Sequence, residues 1–156
     1  MRIMIASDHA GFSLKQEIAA FLKHGGHDIF DAGTDGEKSV DYPDYAERVA
    51  RAVASGAYDR GILVCGSGVG MAIAANKVPG IRAVAALNVE TARLSRAHND
   101  TNVLALAGRM TGIEEARQIV RTWLETVFEG GRHNRRLDKI REMEGKCKFT
   151  PEDGQS

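Results

Sequence analysis

The stretch Gly61-Ile-Leu-Val-Cys65-Gly-Ser67-Gly-Val-Gly70-Met-Ala-Ile-Ala-Ala-Asn76-Lys77 decides the fold. An apolar, β-favouring run ends in a cysteine, three glycines alternate with other residues, and an apolar segment without another breaker follows. That order reads as strand, tight loop and helix. Glycines at 66, 68 and 70 let the backbone turn sharply and gather consecutive N–H groups into one concavity at the positive end of the helix. Such a loop suits negative charge. Cys65 stands on its lip, and a thiol beside a helix N-terminus can have its pKa lowered from about 8.5 towards neutrality. Plainer readings stay open at this point. The spacing is G-x-G-x-G rather than the G-x-G-x-x-G of dinucleotide sites, and no P-loop lysine followed by Ser or Thr is present. The glycines alone are equally those of a turn packing a helix on a strand. A free cysteine is also commonly a small buried hydrophobe, although the position of Cys65 favours the chemical reading.

Outward from this stretch the chain alternates strands with helices. Upstream, Arg2–Ser7 is an apolar strand, and Asp8-His9-Ala10-Gly11 leads into a helix with Leu14, Ile18, Phe21 and Leu22 on one face, stopped by Gly25-Gly26. Residues 27–30 form a second strand, followed by a polar, Gly-rich loop from Asp31 to Tyr42. Pro43 suits the first turn of a helix that buries Ala46, Val49, Ala50 and Val53 and ends at Gly56. Downstream, residues 81–87 make a fourth strand, Asn88 caps a helix bearing Glu90, Leu94 and His98, and a fifth strand spans Val103–Ala107 after a polar break. Thr111-Gly-Ile-Glu114 has capping-box spacing and opens a helix with Ile113, Ala116, Val120, Trp123 and Val127 inward, closed by Gly130-Gly131. A basic helix over 132–144 comes last.

Five β-α units predict a single three-layer α/β/α domain over residues 1–144, built on a five-stranded parallel Rossmann-like sheet with right-handed crossovers, and a frayed tail over 145–156. In such sheets ligands bind outside the carboxyl ends of the strands. Asp8, His9, the loop to Tyr42, Cys65 to Gly70 and Arg109 all follow strands, so they converge on one edge.

Composition excludes several classes. Lys plus Arg and Asp plus Glu number 21 each, so no global field draws the chain to nucleic acid or to a membrane surface, and anion binding has to be local. No apolar run reaches the roughly 18 residues of a membrane span, and the N-terminus enters a strand directly. Two cysteines form neither a disulfide framework nor a metal-ligand set. The pattern predicts an untargeted cytoplasmic protein with Cys65 a free thiol.

Taken singly, the polar residues have ordinary structural readings. Asp8 serves as an N-cap with His9 a bystander, His98 as a surface histidine at a helix C-terminus, and Arg132-His133-Asn134-Arg135-Arg136 as a solvated charged face. Arg132 and Arg136 are nevertheless i and i+4, so both can fork onto one phosphate. Cys147 carries no assigned role.

Taken together, Ser7-Asp8-His9-Ala10-Gly11, Asp41-Tyr42-Pro43, Cys65-Gly66-Ser67-Gly68-Val69-Gly70, Ile73-Ala74-Ala75-Asn76-Lys77, Arg93-Leu-Ser-Arg-Ala-His98-Asn99-Asp100 and Gly131-Arg132-His133 are blocks in a fixed order. The set resembles the type B ribose-5-phosphate isomerases, in a family that also holds galactose-6-phosphate and allose-6-phosphate isomerases. The resemblance spans residues 1–144. It implies interconversion of ribose 5-phosphate and ribulose 5-phosphate through a cis-enediolate, in the non-oxidative branch of the pentose phosphate pathway, with no metal and no other cofactor.

The same resemblance implies roles for individual residues. Cys65 is the base that moves a proton between C1 and C2, and His98 is the acid or base of ring opening, assisted by Asp8. The N–H groups of Gly66, Ser67, Gly68, Val69 and Gly70 form the hole for the enediolate oxyanion, and the Ser67 hydroxyl carries a proton between O1 and O2. Phosphate falls to Arg132 and Arg136, with Arg109 and His9 as further candidates. Asn99 matches a substrate-binding position, Tyr42 lines the site, and His133 is a further candidate. Pockets built from two subunits are also implied, hence a homodimer, with pairing into a tetramer left open. Some members lack the cysteine and use a glutamate six residues later; here that position is Met71, and Ser67 stands where other members have threonine. Cys65, His98, Arg132 and Arg136 in one chain favour the five-carbon substrate, because the hexose-phosphate isomerases often divide the site between different subunits. An allose- or galactose-6-phosphate isomerase is the alternative within the family, and a non-catalytic sugar-phosphate sensor the alternative from another class.

Overall fold

Strand and helix alternate as the periodicity predicts. The computed structural model describes residues 1–146. In chain order these form β1 (Arg2–Ser7), α1 (Phe12–His24), β2 (Asp28–Asp31), α2 (Tyr42–Ala54), β3 (Arg60–Cys65), α3 (Val69–Ala75), β4 (Ala83–Ala85), α4 (Val89–Asn99), β5 (Val103–Ala107), α5 (Ile113–Glu125) and α6 (Arg132–Lys146). All strand pairs are parallel, in the order β2-β1-β3-β5-β4.

The period of two along each strand builds the layers. Ile3, Ile5, Ile62, Val64, Leu104 and Leu106 face α1, α4 and α5, while Met4, Ala6, Leu63, Cys65, Val103 and Ala105 face α2 and α3. The central strands β1, β3 and β5 are covered on both sides and read as near-continuous apolar runs, whereas the edge strand β2 is largely exposed. Trp123 is fully buried, and its indole N–H donates to Thr101 Oγ1 at 2.9 Å, which removes the cost of an unpaired donor in the core. Lys15 is also fully buried. Its Nζ reaches both Asp31 oxygens at 2.7 and 2.8 Å and the Thr34 carbonyl at 2.6 Å, the complete pairing that a buried ammonium requires. This contact ties α1 to the segment leaving β2.

Topology sets where a site can form. The chain runs from β1 out to β2, then returns to β3 on the other side of β1, so the strand order reverses between β1 and β3. The helices that follow these two strands, α1 and α3, leave on opposite faces, which opens a crevice above the carboxyl ends. At the other side β5 lies between β3 and β4. Residues after β5 therefore meet residues after β3: Gly108 N–H donates to the Cys65 carbonyl at 2.7 Å and Arg109 N–H to the Gly66 carbonyl at 3.1 Å.

Several local expectations change. The fourth strand, expected over 81–87, is reduced to Ala83–Ala85 at the sheet edge. Asn76 pairs its side chain with both backbone groups of Ala83, and Asn102 Oδ1 accepts from Arg82 N–H, so side chains take the ladder's place there and cover the edge. The capping box at Thr111 does not form; Gly112 is the N-cap with no side-chain bond. Ile113 is exposed, and Val127, expected inward, lies beyond the end of α5 and is 79% exposed. Gly130 and Gly131, both at positive φ, introduce α6 rather than close α5. Helix α6 runs on through Lys146, two residues into the expected tail; the rest of that tail, Cys147 included, lies outside the described residues. Among the described residues no helix is long and apolar enough to cross a membrane.

Candidate active site

A cleft of about 430 Å³ opens at the carboxyl edge of the sheet, lined by Asp8, Tyr42, Cys65, Gly66, Ser67, Gly70, Arg109 and Met110. Cys65 ends β3 and is 4% exposed, among the buried residues that face α3. The Gly68 N–H donates to its Sγ at 3.2 Å, and Gly68 does so from φ +77°, a conformation that disfavours any side chain. Ser67 is exposed, its Oγ accepting from Val69 N–H at 3.3 Å. The first helical bond of α3 is donated by Ala72 to the Gly68 carbonyl, so the amides of the first turn have no helical acceptor. Gly70 is fixed by Tyr42: a Cβ there would lie 2.8 Å from the phenol ring.

Asp8 is not the N-cap of α1, a position that Gly11 holds without a side-chain cap bond. It lines the cleft and is nearly buried, while its Oδ1 accepts from Gly11 N–H at 2.9 Å at the start of α1. His9 Nδ1 accepts from Val40 N–H at 3.3 Å. That bond ties the loop after β2 to the end of β1 and, in the neutral ring, leaves the proton on Nε2. Arg109 is exposed beside Gly66, with no ion pair among the described residues.

The other expected residues sit at the opposite, amino edge. His98 and Asn99 end α4, where Arg82 Nε donates to the Asn99 carbonyl at 2.9 Å and Arg82 Nη2 to the carbonyl of the C-cap Asp100 at 2.8 Å. Arg132, His133 and Arg136 lie in the first turns of α6, which is docked by Leu137 and His133. Both arginines are exposed and form no ion pair among the described residues. Asn99 opens onto a groove of about 670 Å³ that also holds Ile140 and Met143 of α6. The two edges are separated by the five residues of β5, about 16 Å at 3.3 Å per residue. One chain therefore assembles Asp8, His9, Tyr42, residues 65–70 and Arg109 as one group, and His98, Asn99, Arg132, His133 and Arg136 as another. It does not bring the two together.

Within the second group the His98 and His133 rings stack, with centroids 4.4 Å apart and planes 13° from parallel. Glu129 Oε2 stands 3.7 Å from His98 Nε2 and 3.6 Å from His133 Nε2. These donor atoms lie within 4.8 Å of one another, but nearly parallel rings aim their in-plane lone pairs side by side rather than at one point, so the stacked arrangement does not form a coordination site. Burial lowers the His133 pKa, and the neighbouring His98 and Arg132 lower it further, while Glu129 opposes them. The sequence reading missed Met110 and Glu129. Glu129 and His133 are i and i+4, a signal hidden by the intervening Gly130-Gly131.

The Ribose/Galactose Isomerase family model matches residues 3–140. Ribose-5-phosphate isomerase B of Escherichia coli (strain K12) is 51% identical over 143 residues, covering 92% of this chain and 96% of that one. The structure of Clostridium thermocellum ribose-5-phosphate isomerase B superposes with a TM-score of 0.93 at 56% identity, over 94% of this chain and 99% of the other. That of ribose-5-phosphate isomerase B from Mycoplasma genitalium, with bound ribulose-5-phosphate, gives 0.90 at 44% identity, over 93% and 97%.

Proposed function

The chain belongs to the ribose/galactose isomerase family, and we propose that it interconverts ribose 5-phosphate and ribulose 5-phosphate at a site shared between two copies of itself. The observation that carries this reading is the division of the residues. The carboxyl-edge group offers a thiol, a hydroxyl, a carboxylate and a loop of amides, with Arg109 its free guanidinium. The amino-edge group offers two imidazoles and two exposed guanidiniums that form no ion pair among the described residues. Each is half of what the reaction needs, and the strands between them are too long for one pentose phosphate to span. A second copy that lays its amino edge over the cleft supplies the missing half. The exposed apolar residues around the cleft, Val69 at 51%, Ile73 at 57% and Met110 at 63%, support a covered surface there.

In the assembled site His98 of one copy exchanges a proton with the ring and anomeric oxygens, assisted by Asp8 of the other, and the open-chain aldose results. Cys65 Sγ takes the proton from C2, electrons move to O1, and the cis-enediolate forms against the amides of residues 66–70. Ser67 passes a proton between O1 and O2, and Cys65 returns its proton to C1, giving the ketose. A base at the end of a buried strand reaches both carbons without moving. Arg132 and Arg136 clamp the phosphate, with Arg109 and His9 near it and Asn99 on a sugar hydroxyl, and this remote binding orients the carbons. Met71, where some relatives place a glutamate, is fully buried in the α2–α3 layer, which leaves the proton to Cys65. The reaction runs in the cytoplasm, where reducing conditions keep Cys65 a thiol.

Purified, metal-free protein assayed on ribose 5-phosphate beside allose 6-phosphate and galactose 6-phosphate tests the substrate. Turnover of the pentose is expected; turnover confined to six-carbon phosphates would transfer the assignment to them.

A further inference from the structure

The amino-edge group contains a carboxylate that none of the reaction's steps employs. Glu129 is about half exposed, yet its backbone N–H donates to the Ala97 carbonyl at 3.0 Å, which pins it to the last turn of α4, one residue from His98. Its carboxylate lies 3.6–3.7 Å from both stacked imidazoles, beyond a direct hydrogen bond but within strong electrostatic reach.

The remaining charges around the pair are mostly positive. On α4, Arg93 donates to both oxygens of Glu90 at 3.0 and 2.7 Å, so Glu90 is already engaged. Arg132 and Arg136 on α6 both bear on His133. Burial, the facing His98 ring and the cations on that side hold the His133 pKa down. Glu129 is the carboxylate in contact with both rings. Two groups this close titrate as a pair rather than separately.

We propose that Glu129 is a positioning residue that keeps one proton on the stacked His98–His133 pair and so sets the protonation of His98 at working pH. The inference rests on His98 being the ring-opening group. Glu129 supplies an anion against the cations that bear on His133.

The test compares wild type, Glu129→Gln and Glu129→Asp by NMR titration of the histidine rings and by the pH dependence of isomerisation. Glutamine keeps the shape and removes the charge, so the first imidazole titration should fall by about 0.5–1 pH unit. The limb of the rate profile that reports the protonated pair should move to lower pH with it, kcat should fall more than KM changes, and aspartate should restore most of both. An imidazole titration unmoved in Glu129→Gln overturns the proposal, whatever happens to the rate. A titration that shifts while the rate limb stays would uphold Glu129's hold on the pair and remove His98 from ring opening.

Discussion

The two edges of the sheet hold their polar groups by different means. At the carboxyl edge Asp8, Cys65 and Arg109 are placed by the ends of adjacent buried strands and by backbone bonds such as Gly108 N–H to the Cys65 carbonyl. At the amino edge His98, Arg132 and Arg136 project from helix ends, with more exposure and more charge. In the proposed site this difference divides the labour: rigid backbone would fix the atoms that reach two carbons, and helix termini would supply charge for binding and proton balance.

Substitutions at each edge sharpen that contrast. Cys65→Ala should leave the circular dichroism spectrum unchanged and reduce turnover by roughly a thousandfold or more, as expected when a group that performs the chemical step is lost. A variant with substantial kcat would break the assignment of the base. Asp31→Asn leaves Lys15 buried without its anion and should cost about 3 kcal/mol in urea unfolding; Lys15→Met, which leaves only the part-exposed Asp31 unpaired, should cost less. Equal costs would show that burial of Lys15 does not set the strength of this anchor. Arg136→Ala should raise KM about 10–100-fold with a smaller change in kcat, the loss of a charge-assisted contact. A change confined to kcat would move Arg136 from phosphate binding into the chemistry.

The smallest effect concerns pH. Because burial holds the His133 pKa below its ordinary 6.5, the unfolded chain binds more protons between the lowered value and 6.5. The stability His133 contributes is therefore present above pH 6.5 and lost as pH falls through its folded value. Melting temperature should drop on acidification across that window, and less so in His133→Gln. An identical slope in both proteins would contradict the shift.

Much of this was legible in the chain. Strand alternation, the loop at Gly66 to Gly70, the cap at Asn88, whose Oδ1 accepts from Thr91 N–H at 2.8 Å, and the convergence of Asp8, Cys65 and Arg109 follow from apolar period and turn residues. The place of β5 between β3 and β4 does not, because strand neighbours are chosen by packing rather than by local sequence. Nor was the shortened β4, at whose start the side chains of Asn76 and Asn102 bond the backbone of Ala83 and Arg82. The separation of His98 from Cys65 is a matter of helix direction. Since α4 runs back against the strands, its C-terminal residues arrive at the far edge, and spacing in the sequence carries no sign of that. Glu129 is not legible because its partner His98 is distant in the chain and meets it where the segment between α5 and α6 bonds the last turn of α4.

Whether one site draws on two chains is decided by mixing two inactive variants. Cys65→Ala and His98→Asn, each purified, are combined in equal amounts and allowed to exchange subunits. Statistical exchange makes half the dimers mixed, each with one intact site, so about a quarter of wild-type activity should return. Exchange demonstrated by mass spectrometry with no recovery of activity would contradict the account.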